Sequence, residues 1–164
     1  MNMLHAARQW TICGVAAVGM TLAGHAMAQA ASLDGAVDAA KHWATLADSK
    51  MGDRMWMSSG QLMQKSLNKD DWSKYLRGVQ TEFGDINKRD WVQIVRISNP
   101  SNLPAGEYVN VVFASRFTKS MVLEKVSLVQ DGASWVPVGY IVTKAEQVAQ
   151  VAPAAVATPA APAK

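Results

Sequence analysis

Cysteine is the first thing this chain lacks. It has one, Cys13, which rules out an internal disulfide and any cluster of cysteine metal ligands. Histidine is nearly as scarce, with only His5, His25 and His42. Charge of one sign is missing too. Sixteen Lys and Arg against thirteen Asp and Glu give +3, and their scatter along the chain is no footprint for nucleic acid. At 164 residues there is room for one domain, not for separate cofactor and substrate domains. What the chain does have is apolar residues, 49% of the total, enough for a core and too many for a disordered chain.

Both ends read as something other than the fold. Residues 1–30 have the layout of a cleavable signal peptide: Arg8, an apolar stretch from Trp10 to Ala23, then small residues that fit cleavage after Ala28 or Ala30. An apolar run of about fourteen residues is short for a bilayer that needs ~20. The expectation is therefore a periplasmic or secreted protein with no stable membrane anchor after cleavage; an uncleaved N-terminal anchor is the alternative. Cys13, His5 and His25 would leave with the leader, so His42 would be the only histidine of the mature chain. Residues 145–164 read AEQVAQVAPAAVATPAAPAK, an Ala/Pro-rich tail expected to be a disordered spacer, with a partner-binding role as the alternative.

Between these ends, residues 31–144 are expected to form a single α+β domain. Ser32 can cap a first helix, with Leu33, Val37, Ala40, Trp43 or Ala44, and Ala47 recurring at helical spacing until Met51-Gly52. A short helix is expected from Asp53 to Ser58, and another turn or two through Leu67. The clearest helix has Asn68 as cap, Asp70 and Asp71 in its first turn, and Trp72, Leu76, Val79 and Phe83 on one stripe. Gly84 is its stop. Four strands follow: Trp91 to Ser98, Tyr108 to Thr118, Met121 to Gln130, and Trp135 to Thr143. They are joined as a meander through Lys119-Ser120 and Asp131-Gly132-Ala133. Pro137 lacks the N–H a ladder needs, which places the last strand at an edge or a bulge.

Pairing those hairpins puts Phe113 opposite Val126, Ser115 opposite Glu124, Val126 opposite Tyr140 and Leu128 opposite Val138. One face then holds Val109, Val111, Phe113, Ser115, Glu124, Val126 and Tyr140 and is expected under the helices. The other carries Tyr108, Val112, Arg116, Trp135 and Ile141, a mixed face suited to a homodimer.

Several landmarks come in a particular order: Asp71-Trp72, Leu76 through Phe83-Gly84 to Arg89, Leu103-Pro104, and Gly106-Glu107-Tyr108-Val109. Phe113, Phe117, Glu124, Asp131-Gly132, Trp135 and Gly139-Tyr140 follow. Over about Ala39 to Val142 this resembles a bacterial family known as domain of unknown function 4019. The chain departs from that family at Val136-Pro137, where a basic residue and Val are usual. The resemblance implies a cystatin-like roll of the nuclear transport factor 2-like kind, a curved sheet wrapped around a long helix and a pocket. Such rolls include isomerases, dehydratases and many non-catalytic modules, so the fold alone assigns no activity.

Few residues are candidates for chemistry. Glu124, inward among Phe113, Val126 and Tyr140, has the setting of a buried general acid or base with Tyr140 as its partner. Against that stands a structural role, with Glu124 paired to a basic residue such as Arg89. No catalytic residue is assigned, and Glu124 and Tyr140 are candidates only. The candidate ligand-binding set is Ser115, Glu124, Tyr140 and Arg89. Arg89, Arg96 and Arg116 are candidates to hold an anionic ligand, against the commoner reading as solvated strand arginines. Met51, Met55, Met57 and Met63 around Trp56 raise Cu(I) binding, but methionine also fills gaps under short helices, and no metal or cofactor is expected. Trp43, Trp72 and Trp91 are expected to anchor the core. The functional expectation is a non-enzymatic module binding a small ligand or an envelope partner; the alternative is a small pocket enzyme, isomerase or dehydratase in type, using Glu124 and Tyr140.

Overall fold

The computed structural model describes residues 31–146, so the expected signal peptide and all but the first two residues of the expected tail lie outside it. Those two, Ala145 and Glu146, are helical rather than extended, as good helix formers with no proline beside them can be. Four helices come first: α1 (Leu33–Asp48), α2 (Gly52–Met57), α3 (Gln61–Ser66) and α4 (Lys69–Phe83). Four strands follow, β1 (Ile86–Ser98), β2 (Glu107–Phe117), β3 (Met121–Asp131) and β4 (Ser134–Lys144). They form one antiparallel sheet in the order β1-β2-β3-β4. The fold is α+β, with helices on one face of a meander. Among the described residues no helix is long and apolar enough to cross a membrane.

Local chemistry sets the helix ends. Ser32 accepts the Gly35 N–H and Asn68 accepts the Asp71 N–H, each satisfying an otherwise free donor of the first turn. α4 stops at Gly84, whose φ of 82° and ψ of −156° suit glycine almost alone. α1 stops earlier than Met51-Gly52. Lys50 donates to the Ala47 carbonyl and Met51 to the Leu46 carbonyl, a closing turn with Lys50 in the left-handed region at φ 58°.

α1 also presents a different stripe from the one its sequence suggests. Ala36, Ala40, Trp43 and Ala44 are buried, while Leu33 is exposed and Val37 only half-buried. The cause lies in β4, where the Trp135 Nε1–H donates to the Ser32 carbonyl and fixes the rotation of the helix start. Trp135 was expected on the open face. A bulge leaves Val138 without a partner between Ser127–Gly139 and Leu128–Pro137, so Leu128 faces Pro137 instead of Val138 and Trp135 turns inward. Pro137 is therefore both at an edge and at a bulge, and its carbonyl accepts the Gly60 N–H.

The β2–β3 register differs as well. Phe113 faces Glu124, not Val126, and Ser115 faces Val122, not Glu124. The turn centres on Thr118-Lys119 rather than Lys119-Ser120, because Thr118 and Lys119 donate to the Asp85 and Phe83 carbonyls at the end of α4. Moving the turn by one residue moves the pairing by two, so every side chain keeps its face. Val109, Val111, Phe113, Ser115, Val122, Glu124, Val126 and Leu128 are all buried as expected.

Two apolar clusters result. The larger gathers Trp43, Met55, Met63, Trp72, Phe113 and Leu128 with their neighbours; the smaller is Phe83, Phe117 and Val122. Trp91 belongs to neither and is 56% exposed. It lies on β1, an edge strand irregular between Trp91 and Gln93, where it lines a surface recess with Leu33 and Val37 of α1 instead of entering the core.

Candidate functional site

β1 begins at Ile86, five residues ahead of the expected Trp91, and the extra length carries Arg89 into the sheet opposite Ser115. From there Arg89 reaches under the helices. Its Nε and Nη2 donate to Glu124 Oε2 and Oε1 at 2.7 and 2.9 Å. Its Nη1 and Nη2 donate to Asp48 Oδ2 and Oδ1 at 2.7 and 3.0 Å. One guanidinium thus holds two carboxylates in paired, forked contacts, the geometry Arg favours over Lys.

Glu124 takes two further donors, the Ser115 hydroxyl on Oε2 and the Tyr140 hydroxyl on Oε1. The four residues named as a ligand set, Ser115, Glu124, Tyr140 and Arg89, do come together. Their partners are one another. The Glu124 side chain is wholly buried and the Arg89 side chain nearly so, while Asp48 is partly open at the cluster's outer edge. Burial pulls the Arg89 pKa down, but hydrogen bonds and charge from Asp48 and Glu124 outweigh it and hold the guanidinium above its ordinary value. Burial, then the Glu124 charge and hydrogen bond, push the Tyr140 phenol well above its usual range. Taking such a group of charges from water is costly, and a cluster with its donors and acceptors matched is the form in which it persists.

Aromatic rings wall off this cluster. Trp43 stacks on Trp72 at 5.9 Å and Trp72 on Tyr75 at 5.5 Å, while Tyr140 meets all three edge-on. The Trp43 Nε1–H donates to the Met55 carbonyl at 2.8 Å and the Trp56 Nε1–H to the Leu67 carbonyl at 3.0 Å, tying the short helices to their neighbours. Met55 and Met63 fill the space beneath them, whereas Met51 and Met57 are exposed, so the four thioethers do not form one buried group.

Outside the cluster the helices leave a cleft of about 400 Å³, within the range of small-molecule sites. It lies where the two apolar clusters meet: Leu76 packs on the larger, Val79 and Ile86 on the smaller, and Phe117 belongs to the smaller. Asp48 and Tyr140 line it, joining the cleft to the buried cluster. Lys50, Arg54 and Arg77 also line it. None of these three, nor Asp48, stood out in the sequence. Asp48 looks like any helix-end acid, and Arg77 reads as a solvated residue off the α4 stripe. Arg96 pairs with Glu107 on the surface, and Arg116 is exposed.

Among the described residues no group of three or more His, Cys, Asp or Glu is placed to hold a metal ion. No curated protein and no solved structure matches the chain. A family model described as "Protein of unknown function (DUF4019)" does match, over residues 39–140. That span runs from α1 through the Arg89 cluster to Tyr140, well over half the chain, and by it the protein belongs to that family.

Proposed function

We propose that this protein is an exported, non-enzymatic module that takes a small ligand in the cleft beside Tyr140 and Asp48. Kinship with the nuclear transport factor 2-like rolls, which the element order resembles, is part of that reading. One observation carries it: the open space of about 400 Å³ lies next to a polar cluster that is already complete. Both Glu124 oxygens are engaged, by Arg89, Ser115 and Tyr140, so no free acceptor remains there to take a substrate proton. The pocket-enzyme alternative needs that acceptor, and its occupation favours binding over catalysis. The cluster instead supplies a rigid wall, and a preformed wall lowers the ordering cost of binding.

Native mass spectrometry of the full chain, purified from its own host's envelope, tests the proposal. The expected result is a retained small mass that a cleft-filling Val79→Trp variant fails to hold. Retention by that variant at the parent level, or a bare chain in both samples, would overturn it.

A further inference from the structure

Charge in the cleft is uneven once existing partners are counted. Asp48 is held by Arg89, and Asp53 by Lys69 at 2.7 Å. Asp85 accepts the Gln80 amide at 3.1 Å. Lys50, Arg54 and Arg77 make no ion pair among the described residues. Among the described residues, three cations without an ion pair therefore stand at one opening against a single carboxylate, Asp85, that lacks a cationic partner. Below them lies an apolar floor of Leu76, Val79 and Phe117.

A second observation points the same way. Lys50 occupies the left-handed position that closes α1, φ 58°, where glycine is the common residue and a β-carbon is disfavoured. Its neighbours' hydrogen bonds complete the closing turn, so the backbone calls for glycine. A lysine there sets a cation on the cleft at a conformational cost, and strain of that kind collects at binding sites.

We infer that the ligand is an amphipathic organic anion, its apolar body on the Leu76–Val79–Phe117 floor and its acidic group held by Lys50, Arg54 and Arg77. This rests on the cleft being the ligand site. The acidic group replaces water around cations that make no ion pair among the described residues, Arg54 donating only to the Met51 thioether at 3.5 Å, and the floor adds hydrophobic burial without charge. Because the cations are exposed, added salt weakens binding.

Titration of the full chain with decanoate and with decyltrimethylammonium, equal tails of opposite charge, tests it. Decanoate is expected to bind about tenfold more tightly or better, and to weaken as salt is raised. Lys50→Gly should weaken decanoate several-fold while leaving the melting temperature at or above the parent value, which separates lost contact from lost fold. Equal binding of both tails, abolished by Val79→Trp, overturns the anion while leaving the cleft as the site. Decanoate binding unchanged by Lys50→Gly combined with Arg77→Gln overturns the assigned cations. Failure of decanoate to bind overturns this ligand class, and the mass retained from the host envelope then decides the cleft separately.

Discussion

A β-carbon placed on Gly84 would lie 1.9 Å from Thr118 Oγ1, inside any allowed contact. Gly84 ends α4, Thr118 opens the β2–β3 turn, and the two backbones are joined around them by the Thr118–Asp85 and Lys119–Phe83 hydrogen bonds. Gly84→Ala is expected to destabilise for two separable reasons. The backbone conformation alone costs about 1–3 kcal/mol for a residue with a side chain, and the collision with Thr118 adds to it. Urea unfolding checks this: Thr118→Gly in the Gly84→Ala background should recover only the collision part. Full recovery would mean the conformation carries no cost.

That contact also explains what the sequence reveals and what it hides. Ser32, Asn68 and Gly84 announce their helix ends because capping is chemistry within a few residues. Period-two alternation gives the buried face of β2 and β3, and a turn shift moves pairing in steps that preserve it. The turn position itself depends on Gly84, more than thirty residues away, and no local signal reports it. Trp135 and Val138 illustrate the same limit, since one bulged residue reverses the face of the strand beyond it. In the site, Glu124 and Tyr140 are legible as polar exceptions on an apolar face. Asp48 and Lys50 are not, because an acid and a base at a helix end look ordinary until the fold brings them to Arg89 and to the cleft.

Arg89, Glu124 and Asp48 should behave as a unit. Glu124→Gln leaves Arg89 short of one carboxylate in a buried setting, a loss of about 3–5 kcal/mol by analogy with other broken buried pairs. Arg89→Met is worse, because it leaves both Asp48 and Glu124 without their cation. The double variant Arg89→Met, Glu124→Leu removes the principal buried charges together and should be more stable than Arg89→Met alone. Chemical denaturation of these variants and of Glu124→Leu decides it; simple additivity of the Arg89→Met and Glu124→Leu losses would contradict a coupled cluster.

Two neighbouring tryptophans offer a matched comparison. Trp43 Nε1 donates to the Met55 carbonyl, whereas Trp72 Nε1 is buried with no partner among the described residues. Both rings are buried and stacked on each other, so Trp→Phe removes similar area from each. Trp43→Phe removes one of two donors to the Met55 carbonyl, leaving the Ser58 hydroxyl at 3.2 Å, while Trp72→Phe removes an unsatisfied donor. The first is expected to be the more destabilising by about 0.5–1.5 kcal/mol. Equal midpoints in thermal or urea unfolding would show that the Met55 contact contributes nothing.

Alkaline pH should loosen the fold through Tyr140. Burial first, and then the charge and hydrogen bond of Glu124, hold its phenol well above the usual value near 10. The folded chain therefore keeps a proton that the unfolded chain releases from about pH 10 upward. The stabilisation is fully present below that pH and is lost as pH rises toward the folded value. Tyr75, also raised mainly by burial, adds in the same direction. The melting temperature is expected to fall steeply above about pH 10, together with a late, cooperative rise in phenolate absorbance as the chain opens. Tyr140→Phe should flatten that fall, yet be less stable at neutral pH by roughly 1.5–3 kcal/mol for the lost hydrogen bond to a carboxylate. An alkaline slope unchanged in Tyr140→Phe would assign the loss to other groups and remove the phenol from the argument.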